Sequence, residues 1–236
     1  MARDLPAPAT KASQQRRLLQ IWLSPSFPVG AYAYSHGLEW AVEFGYVKDR
    51  ASLAEWISNL LAYGSIRHDL ILLAVAWRAA AAEDWTEVED IAGLAAALHP
   101  SAERRLESVT QGGSFLLAIE AAWPVQTVRE LLKVWPGDVA YPVAVASAAA
   151  GHGIALDAML EAYAIAFVGN LASAAIRLSV IGQTDALRLQ ADLIPVIDAT
   201  TFFAATAKLA DLGSATFSAD LCSMEHETQY TRLFRS

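Results

Sequence analysis

Ser35, His36 and Glu39 are the residues of this 236-residue chain whose types first suggest chemistry, and they close the stretch SPSFPVGAYAYSHGLE at positions 24–39. If one helix runs through them, i, i+3 spacing sets His36 and Glu39 on a single face, where they could share a metal ion or a proton. No second His–Glu pair at i, i+3 spacing completes a four-ligand cage. Ser35 and His36 are adjacent and diverge on a helix, which argues against a serine nucleophile held beside its base. Soft donors gather once more, as Cys222, Met224 and His226, a set that could carry nickel, copper or zinc. Ordering three donors on a loose segment costs conformational entropy before any ion binds. Two chemical readings therefore stand: a small metal-dependent hydrolase using His36, Glu39 and His226, and a metal carrier using Cys222, Met224 and His226. Neither a GxxxxGK[ST] loop nor a GxGxxG turn is present, so the chain carries no nucleotide motif of its own.

The elements that must position these residues read as helices. Apolar residues recur at three-to-four spacing at Leu18, Leu19, Trp22 and Leu23, at Leu53, Trp56, Ile57, Leu60 and Leu61, and at Leu70, Leu73 and Trp77. Ser52 with Glu55, and Thr86 with Glu89, have capping-box spacing, and Pro100-Ser101 reads as a helix start. Further helices are expected over 102–121, 127–134, 139–150, 156–180, 185–193 and 199–212, with breaks at Pro124, Pro136-Gly137, Gly151-His152-Gly153, Gly182 and Pro195. Nothing alternates with period two over a useful length, and the pattern has no fixed repeat. The expected fold is all-α: a single globular multi-helix bundle over 15–212, with flexible tails at 1–14 and 213–236.

Composition narrows the partners. Hydrophobic residues make up 55% and charged residues 18%, which suits a helical chain with much buried surface. The mean hydropathy of +0.31 leaves room for apolar surface that a partner covers. A net charge of −8 repels phosphate backbones, and no basic stripe offsets it, so nucleic acid is not expected. The first residues, MARDLPAPATKASQQRR, hold no apolar signal core. The run from Ala162 to Ile176 is shorter than the roughly 20 residues of a membrane span, so no membrane contact is expected. The single cysteine, Cys222, fits a reducing compartment and a cytoplasmic location.

Taken whole, LSPSFPVGAYAYSHGLE resembles the N-terminal signature of the urease accessory protein UreF family. Four further blocks resemble that family in the same order: ERRLESVTQGGSFLLA at 103–118, YPVAVASAAAGHGI at 141–154, AAIRLSVIGQTDALRL at 174–189 and MEHETQYTRLFRS at 224–236. The resemblance implies an all-helical, non-enzymatic protein, often dimeric, with no cofactor. It would bind a UreD-type (UreH) scaffold and through it join the GTPase UreG and apo-urease during nickel insertion. Two departures from the family pattern, Glu225 for a basic residue and Ala186-Leu187 for Gly-Gln, point to partner pairing that differs between species.

In that light the opening stretch shapes a surface. Pro25 and Pro28 fix φ and turn the chain sharply, Gly30 permits positive φ, and Tyr32 and Tyr34 offer large amphipathic contacts, with core packing as the alternative for both tyrosines. Ser35, His36 and Glu39 belong to the same expected partner surface. In the tail, Tyr230, Leu233 and Phe234 are the anchors and Arg232 the directed hydrogen-bonder, and the resemblance implies that the tail orders on the UreD-type partner. Arg177 and Gln183 are expected on the GTPase-facing side, with an internal ion pair as the alternative for Arg177.

Overall fold

The computed structural model describes residues 10–236, and among these there are eleven α-helices and no strand. The helices are α1 Lys11–Trp22, α2 Leu38–Glu43, α3 Arg50–Tyr63, α4 Ser65–Ala81, α5 Trp85–Ala97, α6 Ala102–Ala122, α7 Gln126–Val134, α8 Tyr141–Gly151, α9 Leu156–Arg177, α10 Gln183–Thr206 and α11 Phe217–His226. At the centre lies α8, whose residues from Pro142 to Ala149 are all buried. It packs against α4, α6 and α7, while α9 and α10 pair beside it and α10 reaches α3 and α4. The eight buried side chains of α8 are small or β-branched, which lets neighbouring helices come close. Gly112 shows how close: a Cβ there would lie 2.0 Å from the Val139 carbonyl oxygen.

Several expected boundaries move. The expected break at Pro195 does not occur, because α10 runs continuously through it. Proline removes one amide and clashes with the carbonyl four residues back. Here Pro195 and Ala191 both lie on the exposed face, so that carbonyl turns to water. The buried stripe Leu189, Leu193, Ile197, Thr201 and Ala204 continues past the proline unbroken. The last expected helix stops at Thr206 and is followed by a short 3-10 turn at Leu209–Asp211. Ser52 is not an N-cap: it is the third residue of a box whose cap is Asp49, and α5 is capped by Asp84 rather than Thr86. Ser101 caps α6 through the Arg104 amide.

Parts of both segments expected as tails belong to ordered elements among the described residues. Residues 1–9 of the N-terminal tail lie outside the described residues, and α1 already begins at Lys11, capped by Thr10. The segment 213–236 is not loose in the chain alone: α11 packs on α2 and α6, and Phe234 and Ser236 are buried. Helix α9 and the stretch 50–81 reach membrane-span length and hydropathy, with 56% and 61% of their apolar windows buried. They pack as core helices of the body.

Candidate functional site

The opening stretch and the C-terminal segment, almost 200 residues apart in sequence, meet in one polar cradle. After α1 the chain turns at Pro25 and Pro28, both exposed, while Phe27 and Val29 point into the core. Gly30, at φ 73°, starts a 3-10 turn over Ala31–Ala33. Asn170 donates to the Ala31 carbonyl and Arg177 to that of Tyr32, which fastens this turn to α9. The chain then passes through His36 and Gly37, both left-handed, before α2 begins at Leu38. His36 and Glu39 therefore do not share a helix face, because the helix starts between them.

Glu39 is buried and its carboxylate accepts the amides of Leu233 at 2.7 Å and Phe234 at 2.9 Å. Its second oxygen also lies 3.2 Å from His226 Nε2. His226 Nδ1 faces Glu103 at 2.6 Å, and Glu103 takes Arg232 Nη1 at 2.5 Å. Ser35 donates its amide to the Ser236 carbonyl at 2.7 Å and its hydroxyl to the same oxygen. The Arg235 amide reaches the Ala33 carbonyl at 2.8 Å. Arg177 lies over the Phe234 ring at 4.2 Å, a cation–π contact that closes the outer side. Gly37 is required where α11 crosses, since a Cβ there would meet the Ser223 amide nitrogen at 2.8 Å.

Below the C-terminal strap, residues 227–236 after α11, sits Glu107. It pairs with Arg104, takes His36 Nε2 at 3.0 Å and Gln111 Nε2 at 3.0 Å, and accepts the Ser236 hydroxyl at 2.7 Å. Burial alone would raise its pKa, but Arg104, His36 and Ser236 together hold it down to about 2. His36 is shifted downward too, which for an imidazole favours the neutral form: burial first, then Arg104, lowers its pKa and outweighs Glu107. The ring is thus neutral and donates from Nε2 to a carboxylate that is ionised. An ion pair this deep is held by its full set of partners, and removing one of them leaves a buried charge unmatched.

The sequence-predicted site residues fall into three groups. Tyr34, Ser35, His36, Glu39 and Phe234 are buried within the cradle, so the expectation that they face a partner gives way to an internal role. Tyr32, Arg232, Leu233 and Tyr230 are exposed around it, as are Pro25 and Pro28 at the turn, with Gly30 half-buried. Arg177 is exposed and, rather than joining an ion pair, bridges Tyr32 and Phe234, whereas Gln183 opens α10 on the exposed surface away from the strap contacts. Cys222, Met224 and His226 do not converge: the thiol is buried, with its pKa pushed up by burial to about 11, Met224 is exposed, and His226 is held between two carboxylates. Among the described residues no group of three His, Cys, Asp or Glu side chains could hold a metal ion. His36, on Glu107, and His226, on Glu39, belong to different polar pairs, so the hydrolase trio does not assemble. Sequence reasoning missed Glu103, Arg104 and Glu107; the signal was the i, i+4 carboxylate pair on α6, legible only with its distant partners in place.

The UreF family model matches residues 47–194. The chain is 55% identical over 215 residues to a urease accessory protein UreF of Xanthobacter autotrophicus, covering 91% of this chain and 88% of that protein. It is 52% identical to one of Azorhizobium caulinodans, covering 96% and 98%, and 49% identical to one of Methylobacterium radiotolerans, covering 97% and 100%. With an all-helical body, the motif and strap joined in one cradle, and relatives matching along nearly their whole length, the chain belongs to the urease accessory protein UreF family.

Proposed function

We propose that this chain is a non-enzymatic adaptor of urease maturation. It binds a UreD/UreH-type accessory protein and, through it, recruits the GTPase UreG and modulates its cycle while nickel is inserted into apo-urease. The family membership supports this reading, and one observation carries it to particular residues: Tyr32, on the turn at Ala31–Ala33, and Tyr230 and Leu233, on the C-terminal strap, are 70%, 101% and 61% exposed, yet the backbones that carry them are held by polar contacts. Large apolar side chains held outward on an ordered backbone lose little entropy on docking and suit a binding face. The tail then meets its partner as a largely preformed surface, and the complex contains two copies of this chain. The setting is the cytoplasm, with neither nucleic acid nor membrane as a partner, in keeping with the negative charge.

Expression of the urease subunits and accessory proteins with and without this chain tests the reading. Urease nickel content and activity should require the chain, and the double variant Tyr230→Ala/Leu233→Ala should lose about tenfold or more of that activation. Full activation by the double variant would remove the strap from the binding face, and full activation without the chain would remove the adaptor role.

A further inference from the structure

Beneath the cradle a cleft of about 790 Å³ runs inward from an exposed rim at Arg16, Glu161 and Ile165 to a floor at His36, Arg104 and Glu107. Its volume is in the range of small-molecule sites, and the surface of its wall is largely apolar, with polar groups at the rim and at the floor. Aromatic side chains supply much of that wall: Trp22, Tyr141, Tyr163 and Phe167, with the rings of Tyr141 and Tyr163 centred 5.6 Å apart. The cleft touches the partner face described above only at Tyr32 on its rim, and the aromatic wall itself has no part in that face.

The charges lining the cleft are unequal. Asp69, Glu107 and Glu161 stand against Arg16 and Arg104. The inner arginine is already spoken for, because Arg104 pairs with Glu107. Asp69 is different: among the described residues its carboxylate has one side-chain partner, the Tyr163 hydroxyl at 2.9 Å, and no cation within ion-pair distance. A carboxylate in an aromatic cleft, with no cation in contact with it, is the complement of a ligand that brings its own positive nitrogen.

We propose that this cleft binds a small organic cation, an alkyl- or arylalkyl-ammonium, with its nitrogen on Asp69 and its apolar body against Tyr141, Tyr163 and Phe167. The ammonium supplies the missing counter-charge, and the aromatic faces attract it through their quadrupoles. Burial pushes the Asp69 pKa up to about 6, against the opposing effects of Arg104, the Tyr163 hydrogen bond and His68. The groups facing it are Tyr163 from α9, Tyr141 from α8, Arg104 and Glu107 from α6 and His68 from its own helix. A metal ion is the poorer match, since no three metal-donating side chains converge among the described residues.

The test is a titration of the full chain at about pH 7.5 with three probes of one shape, 2-phenylethylammonium, 2-phenylethanol and phenylacetate, followed through the tryptophan indole NMR signals. Trp22 lines the cleft and its indole N–H is buried without a partner, which makes it the reporter. The ammonium should bind about tenfold more tightly than the alcohol. Asp69→Asn should erase that preference while leaving the alcohol's affinity unchanged. Should that variant fold poorly, the wild-type chain at about pH 5, where Asp69 is protonated, should lose the same preference. Equal binding of ammonium and alcohol, tightest binding of phenylacetate, a preference that survives both Asp69→Asn and acid, or no binding of any probe up to about 10 mM would each overturn the proposal.

Discussion

Glu39 engages three donors with two oxygens, and two of those donors are backbone amides of the strap. Glutamine has nearly the same shape but offers one acceptor oxygen and an NH2 group that cannot accept, so at least one strap amide loses its partner. We expect Glu39→Gln to speed hydrogen exchange at Leu233 or Phe234 by about tenfold, the equivalent of one lost buried hydrogen bond, with α4 and α8 amides unchanged. Unaltered exchange at both positions would show that the strap is held by other contacts. Two buried carboxyls, Asp69 and Glu107, shift in opposite directions and so affect stability with opposite sign. Asp69, raised to about 6 from an ordinary value near 3.8, binds its proton more tightly when folded. Stability is therefore lost on its account as pH rises from about 4 to 6, by at most about 3 kcal/mol. Glu107, at about 2, contributes stability that is full above its ordinary value of 4.5 and lost as pH falls towards 2. Denaturation across pH 4 to 6 should show Asp69→Asn losing less stability than wild type over that window; parallel curves would contradict the raised pKa.

At the scale of elements, the sequence is a good guide wherever a helix has one buried stripe and a clear cap. The stripe of α3 and the start of α6 at Ser101 were legible for that reason. Pro195 misled because proline's cost depends on which way the orphaned carbonyl faces, and that is a tertiary fact. The same holds for the caps at Asp49 and Asp84, where two neighbouring residues could each serve and only the geometry chooses. The glycine pair Gly112-Gly113 marks a place where helices can approach closely, but only the structure tells the two apart: a Cβ on Gly112 would overlap the backbone leading into α8, whereas Gly113 has open space around it. Gly112→Ala should lower unfolding free energy by about 2 kcal/mol through forced separation of α6 and α8, while Gly113→Ala, with open space around it, should not. Chemical denaturation of the two variants side by side decides it, and equal stabilities would refute the packing argument.

For the whole molecule, the sequence revealed the all-α class and the family and singled out the opening stretch and the C-terminal segment, but not that those segments bind each other. Ser35, His36 and Glu39 were visible as a polar cluster; that they receive Leu233, Phe234, Ser236 and Glu107 depends on contacts across some 70 to 200 residues. Such pairings carry no local period, which is why the tail read as loose. The resulting picture separates an inner polar cradle that sets the backbone from an outer face of Tyr32, Tyr230, Arg232 and Leu233 that remains open to a partner. The most direct test is size-exclusion chromatography with light scattering on this chain co-expressed with its UreD-type and UreG counterparts, comparing wild type with Tyr230→Ala/Leu233→Ala. The account predicts a stable complex containing two copies of the wild-type chain and a double variant that elutes alone as a folded protein. A wild-type chain that stays apart from both partners, or a double variant that assembles as well as wild type, would contradict it.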